Sequence, residues 1–257
     1  MKLLANKVAL ITGASRGLGA EIANVYAEHG ATVWVNYFQS EAKAAAVVQA
    51  ITEAGGSAHA VQGDVTDEAQ VSNMVETIVA KSGRLDIVVN NALPTYRFDA
   101  TAPYTSIESL SWSHMDQQLA GAIRGAFHTT KAALPTMKAQ GYGKIVNVST
   151  NLVYNPVVTY YDYTTAKAGL LGLTRNLAAE LGQHGIRVNV LAGGLLETTD
   201  ASSATSPEIF QAIASTTPLR KTTTVRDFAE ASVFFASEMS DAITGQSISI
   251  DGGLTMP

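Results

Sequence analysis

Val8-Ala9-Leu10-Ile11-Thr12-Gly13-Ala14-Ser15-Arg16-Gly17-Leu18-Gly19 is an apolar run that breaks into a glycine-rich turn, and the turn opens a helical pattern. A run apolar on successive residues fits a parallel strand covered on both faces. From about Gly17 to His29, Leu18, Ile22, Val25 and Tyr26 recur on one helical face, and Gly30 supplies a stop signal. Glycines at such a junction let the backbone turn tightly, approach a pyrophosphate and pack helix against strand, with the helix N-terminus facing the phosphate. The spacing here is Gly-x3-Gly-x-Gly rather than the commoner Gly-x-Gly-x-x-Gly. Elsewhere in a chain such a cluster is only a turn; at the first strand-to-helix junction it points to dinucleotide binding.

The same alternation continues outward from this unit. Short β-branched runs lie at Val8–Thr12, Thr32–Asn36, Ala58–Gly63, Leu85–Asn90, Lys144–Ser149, Arg187–Leu191 and Ser247–Ile250. Between them the spacing predicts helices: Glu41 to Ala54, one after Thr66 as N-cap, a long one from about Ser109 to Gln140, and one after Tyr160 ending near Gly182. Thr224 to Asp227 reads as a capping box before the last helix. Repeated βα units imply an α/β fold, a doubly wound parallel sheet of about seven strands with helices on both faces. No Pro-, Gly- or Ser-rich linker divides the chain and no repeat at solenoid period is present, so residues 1–257 are expected to form one domain. Leu195 to Arg220 lacks a strong pattern and is rich in Thr, Ser and Ala; it is the candidate substrate loop over the carboxyl ends of the strands.

Composition narrows the function. The formal net charge of −5 offers no basic surface to nucleic acid or anionic membrane. There are no cysteines, which excludes thiol catalysis, disulfides and cysteine–zinc sites and fits a reducing compartment; no metal site is expected. The opening Met1-Lys2-Leu3-Leu4 is interrupted by Lys7 and feeds the glycine turn, as a first strand does and a signal peptide does not. The least charged stretch, Ile145 to Tyr161, is broken by Asn147, Asn151, Asn155 and Pro156, too polar to span a bilayer. The expected location is cytoplasmic.

Two further features carry chemistry. About eighteen residues beyond the glycine turn, an NAD site places an acid on the ribose 2′-hydroxyl. Here the second strand ends Val35-Asn36-Tyr37-Phe38-Gln39-Ser40, without a carboxylate, and Arg16 stands in the turn where a cation meets a 2′-phosphate. This favours NADP(H). Tyr163-Thr164-Thr165-Ala166-Lys167 opens a helix, and residues four apart share a face, so phenol and ammonium point into one site. A nearby cation is expected to draw the phenol's pKa from about 10 toward the working pH. Tyr160 and Tyr161 have no lysine four residues on and read as structural or substrate-wall residues.

Thr12 to Gly19, Asn90-Asn91-Ala92, Tyr163 to Lys167 and Asp251-Gly252-Gly253, in this order and spacing, resemble the short-chain dehydrogenase/reductase family over the whole chain, most closely the 3-oxoacyl-[acyl-carrier-protein] reductases within it. The resemblance implies a Rossmann-like sheet of order 3-2-1-4-5-6-7 and a homotetramer. It implies that Gly13, Ser15, Arg16, Gly17, Leu18 and Gly19 line the pyrophosphate and adenosine end. Tyr37, Asp64 and Val65 join them there, Asn90 and Ala92 form the cleft floor, and Leu196 and Thr198 lie beside the nicotinamide amide. Tyr163 matches the acid/base and Lys167 the residue that holds the nicotinamide ribose and tunes the tyrosine.

Four positions depart from the family pattern. Counting thirteen back from Tyr163 reaches Thr150, so the family's serine role falls to a threonine. Leu93 follows Asn-Asn-Ala where glycine is usual, and Gly193 replaces a proline. The helix position of the family's catalytic asparagine is Ala122, five before Phe127 and twenty-eight before Thr150. Gln118, four residues earlier on the same helical face, is the candidate substitute; otherwise it is an exposed helix residue and backbone-bound water suffices. Trp112 to Phe127 is also about three residues longer than in typical relatives, which suggests an altered helix start. The expected activity is NADP(H)-dependent reduction of a ketone, 3-oxoacyl-type or related, small or carrier-linked, with Thr150, Tyr163 and Lys167 as the catalytic residues. An alcohol or sugar dehydrogenase and a cofactor-binding sensor without turnover are the alternatives.

Overall fold

The computed structural model describes residues 2–93, 98–99, 102, 105–197, 199 and 201–257. The chain alternates strand and helix: β1 (Val8–Ile11), α1 (Gly17–Glu28), β2 (Thr32–Tyr37), α2 (Glu41–Glu53), β3 (Ser57–Gln62), α3 (Glu68–Ser82) and β4 (Ile87–Asn90) form the first half. The second half holds α4 (Trp112–Leu119), a π-helical turn (Ala120–Arg124), α5 (Gly125–Gln140), β5 (Gly143–Thr150), α6 (Tyr161–Leu181), β6 (Ile186–Gly193), α7 (Pro207–Thr216), α8 (Val225–Ala236) and β7 (Ser247–Ile250). All seven strands pair in parallel in the order β3-β2-β1-β4-β5-β6-β7. The molecule is a Rossmann-like doubly wound sheet, as the repeated βα pattern predicts.

Neighbouring strand residues face opposite layers. Ala9, Ile11, Val33, Val35, Ile87 and Val89 pack with Ile22, Tyr26, Phe228 and Val233 on one side of the sheet. Leu10, Trp34, Val88, Ile145 and Val188 pack with Met74, Ile78, Met137 and Leu181 on the other. Every residue of β1, β4 and β5 is buried, which accounts for their unbroken apolar reading.

Successive connections reverse direction between β1 and β4, so the loops leaving those two strands diverge and open a crevice at the carboxyl edge of the sheet. A polar clip holds the crevice floor: Asn91 Nδ2 donates to Thr12 O at 2.9 Å, and the backbone N–H groups of Asn91 and Ala92 both donate to Thr12 Oγ1 at 3.0 Å.

Three elements differ from the sequence expectation. The third helix is capped by Asp67, whose carboxylate accepts from Ala69 N and Gln70 N; Thr66 is taken by Asp64, to which its hydroxyl and N–H both donate. The long fourth helix does not run unbroken: a π turn at Ala120–Arg124 admits an extra residue mid-helix rather than at its start. Within Leu195–Arg220 lies α7, announced by Ser206-Pro207-Glu208, an N-cap with proline at the first helical position that the weak periodicity hid. The capping box at Thr224 and Asp227 is present. Among the described residues no helix is long and apolar enough to cross a membrane.

Candidate active site

The crevice is a cleft of about 590 Å³. At one end it is lined by Gly13, Ser15, Arg16, Gly17, Leu18 and Gly19 from the first turn, by Tyr37, Phe38 and Ser40 after β2, and by Asp64 and Val65 after β3. The glycines are sterically required. Gly13 and Gly17 have φ of +62° and +56°, and a Cβ on Gly13 would meet Ala92 Cα at 2.8 Å. A Cβ on Gly19 would stand 2.6 Å from Gly13 O. Helix α1 has no side-chain cap and no acid in its first turn. Its N-terminal N–H groups and positive dipole end are thus available to an anionic group, which fits a pyrophosphate.

Asn36 braces this turn from β2. Its Oδ1 accepts from Gly13 N at 3.0 Å, its backbone O accepts from Ala14 N at 2.8 Å, and its Nδ2 donates to Gly63 O at 3.0 Å. Arg16 Nη1 lies 3.5 Å from Ser40 Oγ across the mouth of the cleft. No carboxylate ends β2.

The other end is built by β5 and α6. Lys167 is 3% exposed, and its Nζ donates to Val148 O at 2.7 Å. Burial pulls its pKa down to about 8. Tyr163 is 7% exposed; burial pushes its phenol up to about 12, opposed by a hydrogen bond it shares with the Thr150 hydroxyl. The expected lowering of the phenol by the lysine is absent. Lys167 Nζ sits 5.9 Å from the Tyr163 ring centroid and is committed to a backbone carbonyl, so desolvation dominates both groups. Tyr163 is held as a neutral acid. Ser149, one residue from Thr150, instead donates its hydroxyl to Lys167 O at 3.1 Å and is spent on holding strand to helix.

Tyr163, Lys167, Ala92 and Leu196 line the cleft together with Leu93, Gln117, Gly121 and Gly194. Asn90 is placed differently from its neighbours. Its Nδ2 donates to Asn147 Oδ1 at 2.8 Å and its Oδ1 accepts from Thr129 at 2.7 Å, so Asn91 and not Asn90 faces the large cleft. Asn90, Ala122 and Lys167 line a second, much smaller cavity of about 10 Å³, the size of one water. Thr198 lies outside the described residues. Gln118 is not the exposed helix residue of the alternative reading: it is 3% exposed, and its buried Oε1 has no hydrogen-bond partner. Asp251 closes the rear of the site, accepting from Asn151 Nδ2 at 3.0 Å and from Thr255 N at 3.0 Å. Among the described residues no group of His, Cys, Asp and Glu is placed to hold a metal.

An anion-ready glycine turn at one end of the cleft and a buried tyrosine–lysine pair at the other mark the class: an oxidoreductase working with a nicotinamide dinucleotide. The chain belongs to the short-chain dehydrogenase/reductase family; the family model described as enoyl-(acyl carrier protein) reductase matches residues 13–255. The 3-oxoacyl-[acyl-carrier-protein] reductase FabG of Staphylococcus aureus (strain Mu50) is 36% identical over 252 residues, 97% of this chain and 98% of that protein. Among solved structures, the gluconate 5-dehydrogenase of Burkholderia cenocepacia in complex with NADP and tartrate superposes with a TM-score of 0.88 at 30% identity, covering 98% of this chain and 96% of that one. A 7α-hydroxysteroid dehydrogenase complexed with NADH and 7-oxo-glycochenodeoxycholic acid superposes with a TM-score of 0.87 at 32% identity, covering 97% and 94%.

Proposed function

We propose that this chain is an NADP(H)-dependent reductase that converts a ketone, of 3-oxoacyl or related type, to a secondary alcohol. The observation that carries the reading is that Tyr163 and Lys167, one helical turn apart, line the cleft end opposite the glycine turn, with the Thr150 hydroxyl, itself outside the lining, hydrogen-bonded to Tyr163. The nicotinamide, when bound, supplies the hydride. Tyr163, kept protonated by burial, gives its proton to the carbonyl oxygen. Thr150 Oγ1 donates its one proton to the phenol oxygen in the resting site and can turn it to the carbonyl oxygen as charge builds there. Lys167 orients the nicotinamide ribose and keeps positive charge beside the phenol. Gly13, Ser15, Gly17, Leu18 and Gly19 cradle the pyrophosphate. Tyr37, Asp64 and Val65 flank the adenosine, Asn90 supports the cleft floor from beneath, and Ala92, Leu196 and Thr198 border the nicotinamide. Residues 195–220 act as the substrate loop over a single catalytic domain.

Arg16 and Ser40 support NADP(H) over NAD(H), since a cation and a hydroxyl suit a 2′-phosphate and no acid ends β2 to take the 2′-hydroxyl of NAD(H). Oxidation of a polyol or alcohol is the second reading, favoured by the likeness to a gluconate 5-dehydrogenase. A cytoplasmic homotetramer acting on a small or acyl-carrier-linked carbonyl is the assembly the family resemblance supports. A ketone panel followed by NADPH absorbance tests the whole reading. Turnover with NADPH preferred over NADH, and a preference that weakens in Arg16→Ala, supports it; NADH preference, or unchanged discrimination in Arg16→Ala, sinks the cofactor assignment.

A further inference from the structure

Tyr163 shares its end of the cleft with a second ring. Phe98, in the segment after β4, stands edge-on to the Tyr163 ring with centroids 5.4 Å apart and planes at 81°. It also lies 5.5 Å from the Tyr160 ring. Leu93, Leu152 and Val158 pack against the same pair of tyrosines. The backbone N–H of Phe98 donates to Ala201 O at 2.9 Å, so the ring is held by a bond between the chain leaving β4 and the chain leaving β6. Phe98 and Ala201 both line the cleft beside Tyr163.

Charge is distributed unevenly along the same cleft. Among its described lining residues the charged side chains are Arg16, Asp64 and Lys167, and the first two lie at the glycine-turn end. Lys167 is drawn back onto Val148 O. A carbonyl oxygen within reach of the Tyr163 phenol has the Phe98 ring and the aliphatic side chains of Leu93 and Ala201 beside it, with Gln117 and Thr199 among the uncharged polar groups of the same lining. A flat apolar substituent gains burial and an edge-to-face contact there. A hydroxylated or acidic substituent laid on that ring gives up water and gains no hydrogen-bond partner from it.

We propose that Phe98 is a specificity-determining residue and that the substrates it selects are ketones bearing a planar apolar ring beside the carbonyl. The proposal rests on the reading of Tyr163 as the proton donor and narrows the substrate given above, setting ring-bearing ketones ahead of straight-chain 3-oxoacyl ones. Phe98 touches the substrate's substituent and takes no part in proton transfer.

The test compares 2-tetralone, a hydroxylated open-chain ketone of similar size and a straight-chain 3-oxoacyl thioester, each with NADPH. Wild-type enzyme and Phe98→Ala and Phe98→Leu variants are measured. Expected results are a kcat/KM at least tenfold higher for 2-tetralone than for the other two, and a KM for 2-tetralone raised about tenfold in Phe98→Ala, with the KM for NADPH within twofold. Phe98→Leu should recover part of the loss. The proposal is overturned if wild type prefers the hydroxylated ketone or the thioester, or if Phe98→Ala lowers kcat equally for all three, which marks the ring as a scaffold for Tyr163. Should no ketone be reduced, the parent reading fails, and calorimetric binding of 2-tetralol to the NADP+-loaded protein decides the wall alone: binding weakened tenfold in Phe98→Ala upholds it, and no binding or an unchanged affinity overturns it.

Discussion

Burial moves the two proton-bearing groups of the site in opposite directions, Tyr163 up to about 12 and Lys167 down to about 8. The phenol therefore keeps its proton across the working range, and the lysine is the group that titrates within reach of it. Because the ammonium fraction falls as pH rises through about 8, kcat/KM for NADPH in the free enzyme should be level below that pH and decline above it. In Lys167→Arg the side chain stays charged, so the alkaline limb should move upward even if the plateau is lower; an unmoved limb would assign it to another group. Tyr163→Phe removes the proton and keeps the ring that packs on Phe98; kcat should fall by about 10²–10⁴-fold while NADPH affinity changes less than twofold. Thr150→Val should cost about 10²-fold in kcat and Thr150→Ser little, and harmlessness of the valine would remove the hydroxyl from the chemistry. Tyr163, Lys167 and Thr150 were legible because spacing along a helix and along a strand reports which face a side chain takes. The direction of the phenol's shift was not legible, since burial on all sides is a property of the assembled molecule.

Elements read well where periodicity is strong and badly where a local irregularity intervenes. The seven strands and the capping box of α8 follow from pattern alone, whereas α7 was missed because its Thr-, Ser- and Ala-rich surroundings carry no apolar stripe. The π turn at Ala120–Arg124 leaves little compositional trace, because Gly121 is its one poor helix former and a lone glycine does not announce an inserted residue. It places Ala122 over a water-sized cavity beside Lys167, one turn beyond the buried and unpartnered Gln118 Oε1. A buried amide oxygen without a partner is uncomfortable by about 1–3 kcal/mol, which a bound water would relieve. If Gln118 holds water on the path by which Tyr163 regains its proton, Gln118→Ala should bring kcat below about a tenth of wild type at normal NADPH affinity. Gln118→Glu, which keeps the acceptor, should recover part of it. Unchanged kcat in Gln118→Ala would confine the residue to packing between α4 and α6.

At the scale of the whole molecule the sheet has two ends with different duties. Its carboxyl edge carries the cleft; its amino edge carries ion pairs. Lys144, at the start of β5, is fully buried, with Nζ 2.7 Å from Asp241 Oδ1 and 3.0 Å from Ser240 Oγ. Asp86, also fully buried, is gripped by Arg84 through two 2.7 Å bonds. Removing one partner of a pair buried on both sides costs about 3–5 kcal/mol; Asp241 is partly in water, so Asp241→Ala should cost about 2 kcal/mol. For a chain of this size that is a fall in Tm of about 4–8 °C. kcat should be unaffected, because the pair stands at the opposite end of β5 from Thr150. A loss of activity without a loss of Tm would mean that the two ends are coupled. The Lys144–Asp241 pair was not visible in the sequence, since its members are brought together only by tertiary folding; Arg84 and Asp86 stand two residues apart, and what the sequence hides there is the complete burial of the carboxylate.

Asn36 and Tyr37 are neighbours in the chain and strangers in duty. The first is locked to the glycine turn and to the end of β3, while the second faces the cleft. Both border the cleft, but only Asn36 is tied by its side chain into the scaffold on two sides. If the proposed coenzyme meets Tyr37 through Ser40, natural selection can redirect the chain from one cellular pool of reducing equivalents to the other by editing that stretch, leaving the instructions for assembly in Asn36 intact.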